Sequence, residues 1–172
     1  MDKLDIVTDE SGNEVVLLPE IIFSNKQNIN WNDVEDYLGK YVGELIEIAE
    51  TRDIIYIGNK FPDEYGGSSY TRKTKGARAK AKANAAQGIR EMVEIATDKV
   101  YRENHKEKHS EDVHNGWYYY VTRFAIPLYN NEKKTGEYNV YSACLVVNHA
   151  ANGKMYLYDV VVYKDRKSTR LN

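Results

Sequence analysis

His149 is the histidine whose predicted position best suits acid–base chemistry. A histidine titrates near neutral pH, so it can take and return a proton. Asn152-Gly153 is a strong signal for a two-residue hairpin loop, which would place His149 opposite Tyr156 on the neighbouring strand. The alternative interpretation is a structural histidine at a sheet edge.

The remaining candidates for metal or nucleophile chemistry are weaker. His105 and His109 stand four residues apart, as helical zinc ligands do, but no third ligand has a fixed spacing to them. The single cysteine, Cys144, lies in a predicted strand and is interpreted as a small core residue. No glycine-rich phosphate-binding motif occurs. We therefore expect no metal and no cofactor.

Residues 65–90 form the strongest electrostatic feature of the sequence. They contain seven bases and no acid, whereas residues 1–64 contain 15 acids and 5 bases and the whole chain has a net charge of −2. Such a segment is typical of contact with phosphate, RNA or DNA, or with an acidic partner. The alternative is a solvated helix face paired with the acidic N-terminal third. The predicted nucleic-acid-binding residues are Lys75, Arg78, Lys82 and Gln87.

The elements that would position these residues predict an α+β fold. Residues 42–48 and 54–57 are predicted to form an N-terminal β-hairpin, and 61–70 a loop. An alanine-rich helix is predicted over 75–87, broken by Gly88 and continued to about residue 99. Strands over 117–126, 138–149 and 155–163 would then form a C-terminal antiparallel β meander. A short helix over 33–38 is predicted to be capped by Asn30 or Asn32 and stopped by Gly39.

The chain ends differ from this predicted domain, which covers residues 15–164. Residues 1–14 are polar, acidic and expected to be frayed or disordered. Residues 165–172 resemble the translation of a common sequencing adapter, so we expect them to be non-native, to make few contacts, and to mark a metagenomic fragment of a longer protein.

No apolar run reaches the ~18 residues of a membrane span. We expect a cytoplasmic protein with no membrane partner.

Six segments carry a resemblance to a known family: Trp31–Leu38, Tyr56–Gly58, Phe61–Tyr65, Ala79–Gly88, Arg123–Ala125 and Gly153–Asp159. In these segments the chain resembles the large polyvalent protein-associated domain 3, most specifically in Ala79–Gly88. The resemblance implies an accessory or interaction domain of a long protein carried by bacteriophages and mobile elements. Its partners would be other domains of that parent protein, and RNA or DNA through the basic helix.

The order of helices and meander is also similar to that of the barnase–EndoU–colicin–RelE-type ribonucleases. This fold-level similarity implies an alternative function, a metal-independent ribonuclease acting as a toxin. His149, Arg123 and Tyr158 would then be the catalytic residues, with Lys82 as a phosphate-binding cation. A third alternative, an ADP-ribosyltransferase, has only the faint support of Arg72 near Ser68-Ser69.

Overall fold

The computed structural model describes residues 3–24, 28–103 and 116–163, and the backbone of 168–170. Within these residues the chain forms five short α-helices and nine β-strands. The helices are α1 (Trp31–Leu38), α2 (Phe61–Gly67), α3 (Ser69–Lys73), α4 (Gly76–Ala85) and α5 (Ile89–Glu94). The strands are β1 (Ile6–Thr8), β2 (Glu14–Leu17), β3 (Leu45–Glu47), β4 (Ile54–Tyr56), β5 (Thr97–Arg102), β6 (Trp117–Asn130), β7 (Lys133–His149), β8 (Met155–Val162) and β9 (Ser168–Arg170).

All nine strands belong to one mixed sheet. Its main path runs β1-β2-β6-β7-β8-β4-β3, with β5 also pairing β6 and β9 also pairing β7. The long strands β6, β7 and β8 are antiparallel neighbours, as the predicted meander requires. The pairs β2–β6 and β4–β8 are parallel. The predicted α+β class, the hairpin β3–β4 and the meander are confirmed.

Helices α4 and α5 pack against one face of this sheet. Tyr120 and Phe124 of β6, and Leu145 of β7, are fully buried in the same apolar cluster as Ala83 of α4 and Met92 of α5. Because side chains alternate along a strand, the residues between them point to the other face. We call this second side of β6, β7 and β8 the outer face.

Local sequence signals explain α1 and the break between α4 and α5. Asn30 caps α1 by accepting a hydrogen bond from the amide of Asn32, and Asp33 stands in the first turn, where an acid complements the helix dipole. Helix α1 ends at Leu38, before Gly39. At Ala86–Gly88 the chain turns through one 3-10 turn before α5 begins. Both features agree with the sequence-based expectations.

Two predictions about central elements are wrong. The segment 61–70, expected to be a loop, forms α2 and the start of α3, because Phe61 and Tyr65 pack into the core and Ser68 caps α3 through the amide of Thr71. The helix expected to reach residue 99 ends at Glu94. Thr97–Arg102 instead becomes β5, paired with the exposed flank of β6.

The hairpin between β7 and β8 has a different register from the predicted one. His149 pairs with Met155 rather than with Tyr156, since the loop contains three residues and Gly153 adopts a positive φ of 85°. A three-residue loop with its last residue in the left-handed region is the next most common hairpin type. An extra residue in β8 at Tyr158 then restores the predicted pair Leu145–Val160.

Both chain ends take part in the sheet. Ile6–Thr8 pairs with β2, so the expectation of a frayed segment 1–14 is wrong for these residues. The backbone of Ser168–Arg170 pairs with Glu137–Asn139 of β7, so the expectation of few contacts is wrong there as well. The remaining residues of the predicted non-native tail lie outside the described residues.

Candidate nucleic-acid interface

The outer face of the sheet carries a cluster of aromatic side chains. Trp117 and Tyr119 reach this face because they alternate with the buried residues of β6. The ring of Trp117 meets the ring of Tyr158 edge-on, with centroids 5.2 Å apart. Tyr158 stands at the bulge in β8, which turns its ring toward β6.

Tyr70 of α3 influences the tyrosines of this face electrostatically. Burial raises the pKa of Tyr119, Tyr158 and Tyr163, and the neighbouring Tyr70 raises each of them further. Tyr70 is 42% exposed and Tyr163 is 50% exposed, so both rings offer open surface. We call Tyr70, Trp117, Tyr119, Tyr158 and Tyr163 the aromatic cluster.

Exposed cations follow directly after Tyr70. Arg72, Lys73, Lys75 and Arg78 lie on the surface at the end of α3 and the start of α4, and we call them the basic rim. Within the described part of the chain none of the four forms an ion pair. Arg72 also acts on the ring of Tyr158, where its charge partly offsets the raised pKa of that phenol. Positive charge therefore follows the exposed ring of Tyr70 directly along the chain.

Two more arginines contribute to the outer face. Arg102 of β5 is exposed, and its guanidinium lies 5.8 Å from the centre of the Tyr119 ring, within cation–π distance. Arg123 lies on the same face as Tyr119, four residues further along β6, and its Nε is buried without a hydrogen-bond partner. The outer face therefore has cations on more than one side of its rings.

The position of Lys82 differs from the one predicted from the sequence. It was expected to contact phosphate from an exposed helix face, yet its side chain is only 1% exposed. Its Nζ donates to Oδ1 of Asp159 at 2.6 Å and lies over the ring of Tyr65. Ser68 Oγ donates to the second carboxylate oxygen, Oδ2, at 2.6 Å. Lys82 is therefore a structural cation that cannot reach a bound phosphate.

Gln87 is also placed differently from the prediction. It is buried in the 3-10 turn after α4, and its Nε2 donates to the carbonyl oxygens of Glu20 and Asn84. Its amide ties the segment before α1 to the helical layer. Lys75 and Arg78, the other two predicted binding residues, are on the surface in the basic rim.

The structure separates the residues predicted to be catalytic. His149 lies on the helix-covered side of the sheet, where its ring contacts the ring of Tyr118 at 5.6 Å. Its amide bonds the carbonyl of Gly116, and Arg123 stands seven residues further along β6 on the opposite face. At about 3.4 Å per residue this is roughly 20 Å along the strand. Of the three, Tyr158 alone belongs to the aromatic cluster.

The site predicted from the sequence did not include Tyr70, Arg72 and Lys73, which the structure places on the surface just before Lys75 and Arg78. The signal was present, since the cations follow a tyrosine in a stretch without acids. It was not used because 61–70 was predicted to be a loop, so Tyr70 could not be assigned a position over the sheet. The other predicted metal candidates, His105 and His109, lie outside the described residues.

The described residues contain no group of three His, Cys, Asp or Glu side chains placed to hold a metal ion. None of the helices in that same part of the chain has the length and apolar character that crossing a membrane requires. Comparison with protein-family models, curated proteins and solved structures finds no match for this chain. The resemblance to the polyvalent protein-associated domain accordingly stays a prediction.

Proposed function

We propose that this chain is a non-enzymatic domain that binds single-stranded nucleic acid through its outer face. The observation that carries the proposal is the outer face itself, where the ring of Trp117 meets that of Tyr158 and the guanidinium of Arg102 lies over the ring of Tyr119. The exposed basic rim follows Tyr70 along the chain, and its cations have no acidic partner among the described residues. In the setting that the sequence resemblance implies, it would be an accessory domain of a larger phage-type or mobile-element protein.

The chemistry of the surface favours a single strand over a duplex. Exposed cations neutralise phosphates without regard to sequence, and exposed rings stack with unpaired bases. In a duplex the faces of the bases are covered by their neighbours, so the rings would have nothing to stack on. Tyr70 and Tyr163, which are the most exposed rings of the cluster, would make the first contacts.

The ribonuclease alternative has no specific observation in its favour. A metal-independent cleavage site needs a base and a phosphate-binding cation within reach of one scissile bond. His149 and Arg123 lie on opposite faces of the sheet, and Lys82 is paired in the interior. We therefore propose binding without cleavage.

The test is a titration of fluorescently labelled single-stranded RNA and DNA, followed by anisotropy at several salt concentrations. In the Arg72→Ala/Lys73→Ala variant two phosphate contacts disappear, so the slope of log K against log salt should become shallower by about 1.4. The matched control is Lys133→Ala/Lys134→Ala, two exposed lysines at the distant β6–β7 turn. An unchanged slope in the first variant, or an equal change in the control, would contradict the proposal.

A second pair of variants tests whether the aromatic cluster contributes to binding. Tyr70 and Tyr129 are 42% and 40% exposed, so neither truncation empties the core. Tyr70→Ala should weaken binding by about 1–3 kcal/mol, the usual value of one base–aromatic stack, while Tyr129→Ala should leave it unchanged. RNA fragments appearing in EDTA would instead favour the ribonuclease.

A further inference from the structure

A cleft of about 440 Å³ opens at one end of the outer face, and it contains a buried amide with an unused acceptor. Asn148 lines this cleft, is 8% exposed, and its Oδ1 has no hydrogen-bond partner among the described residues. Leaving a buried acceptor unpaired costs about 1–3 kcal/mol, so native structures rarely keep one without a reason. A ligand that supplies an N–H donor would satisfy it.

The other walls of the cleft suit a flat ligand. Tyr156 offers its ring on one side, held by contact with the ring of Tyr56 at 5.6 Å and by the Nδ2 of Asn152, which donates to its hydroxyl. Gly58 lies against that ring, where any side chain would be in contact with it. The hairpin residues Ala150–Asn152 form the opposite rim. The result is a slot with an aromatic wall and an amide inside it.

The cleft continues from the aromatic cluster. Asn148 is paired with Trp117 across the β6–β7 ladder and with Tyr156 across the β7–β8 ladder. Glu64 also lines the cleft, and its negative charge raises the pKa of Tyr158. The ring of Tyr158 in turn contacts the ring of Trp117. A strand crossing the aromatic cluster would therefore reach the cleft with its next base.

We propose that this cleft receives one unpaired base of the bound strand and recognises the 6-amino group of adenine; this inference rests on the proposed function. An asparagine amide offers one acceptor beside one donor. Adenine presents the matching N6–H donor beside a ring-nitrogen acceptor on both of its hydrogen-bonding edges, and asparagine–adenine pairing is a recurrent solution. The N6–H group would donate to Asn148 Oδ1 while the purine stacks on Tyr156.

The experiment compares uridine oligonucleotides that carry one central adenosine, one purine riboside or no substitution. Purine riboside keeps the stacking surface and the ring nitrogens of adenosine but lacks the 6-amino group. The adenosine oligonucleotide should bind roughly 5- to 100-fold more tightly than the purine-riboside oligonucleotide, the range expected for one bidentate base contact. Equal binding of the adenosine and purine-riboside oligonucleotides would overturn the assignment of the cleft.

Two variants test the location. Asn148→Ala should bind the adenosine and purine-riboside oligonucleotides with equal affinity. Ala151→Trp fills the cleft from an exposed hairpin position, so it should do the same even if the buried substitution at Asn148 impairs folding. An adenosine preference that survives Ala151→Trp contradicts this site but leaves the proposed function intact. Failure of every oligonucleotide to bind the wild-type protein would overturn both proposals.

Discussion

Among single residues, the buried pair of Lys82 and Asp159 stabilises the part of β8 that carries Tyr158 of the aromatic cluster. Burial lowers the pKa of Lys82 and raises that of Asp159, while the attraction between the two groups opposes both shifts. Both carboxylate oxygens are occupied, by Lys82 and by Ser68, and the backbone amide of Val160 donates to Oδ1 as well. The pair holds β8 against α4 next to the bulge that carries Tyr158.

Removing one member of this pair should destabilise the protein strongly. Lys82→Met leaves an uncompensated carboxylate in the interior, so the free energy of unfolding should fall by about 3–5 kcal/mol. Lys82→Met/Asp159→Leu removes both charges and should recover most of that loss. Urea denaturation of the two variants measures the difference. A loss under 1 kcal/mol for Lys82→Met would mean that the pair is not buried as described.

Asp53 gives the residue-scale prediction for pH. Its partial burial alone would raise its pKa, but hydrogen bonds from Lys99 and Tyr120 hold the pKa below the ordinary value of 3.8. A carboxyl with a lowered pKa in the folded state stabilises it above 3.8 and loses this contribution as the pH falls through the lowered value. Asp53→Asn should therefore cost about 1–3 kcal/mol at pH 7.

The pH dependence of that variant is the check. The gap in unfolding free energy between wild type and Asp53→Asn should narrow as the pH is lowered below 3.8, because the wild-type carboxyl is then neutral as well. Urea titrations at pH 7 and at acidic pH give the two gaps. A gap that stays constant with pH would exclude the ionised Asp53 as its cause.

At the residue scale the sequence could predict a basic segment but not which of its cations are buried. Alanines occupy every second position from Ala77 to Ala85, so helix α4 has small apolar side chains on all sides and no distinct polar face. Lys82 was therefore indistinguishable from Arg78. Its buried partner, Asp159, is 77 residues away and belongs to a strand that looked half-exposed.

At the scale of elements, the junction of α4 and α5 depends on a glycine. A Cβ at Gly88 would lie 3.1 Å from Leu18 Cδ2 and 3.3 Å from Val16 Cγ1. Both neighbours are completely or almost completely buried and have no space to retreat. The helical layer thus approaches β2 and the segment after it as closely as the backbone permits.

Gly88→Ala should therefore destabilise the fold by about 1–3 kcal/mol, the usual cost of overpacking a core. The matched control is Gly39→Ala, since Gly39 has a helical conformation and open space around its Cα. That substitution should be neutral or slightly stabilising. Thermal unfolding of both variants measures the contrast. Equal effects at the two positions would contradict the close approach at Gly88.

The elements that sequence patterns predicted well are those with local signals. The β6–β8 strands alternate in polarity or carry β-branched residues, and α1 has a cap and a terminal glycine. Helices α2 and α3 were missed because Pro62, Gly66 and Gly67 are typical of loops, while the burial of Phe61 and Tyr65 that stabilises them depends on tertiary contacts. The hairpin register was wrong by one residue since loop length cannot be inferred from Asn152-Gly153 alone.

At the scale of the whole molecule, the positive charge is local rather than global. The net charge is −2, so long-range attraction to nucleic acid is not expected from the chain as a whole. The basic rim, Arg102 and Arg123 must therefore supply the affinity at short range, next to the rings. A face of the protein that lacks these cations would repel nucleic acid, because the N-terminal third of the chain is acidic.

The two tryptophans allow the most direct test of where a strand binds. Trp117 belongs to the aromatic cluster, whereas Trp31 begins α1 on a different part of the surface. In Trp31→Phe the remaining emission comes from Trp117 alone, and in Trp117→Phe it comes from Trp31. Titrating both variants with the same single-stranded oligonucleotide separates the two positions.

We predict that saturating single-stranded RNA or DNA quenches or shifts the Trp117 emission of Trp31→Phe, because bases stack on the cluster around it. The Trp31 emission of Trp117→Phe should stay constant. Unchanged Trp117 emission at a saturation established by anisotropy, or a response at Trp31 instead, would contradict the outer face as the binding surface.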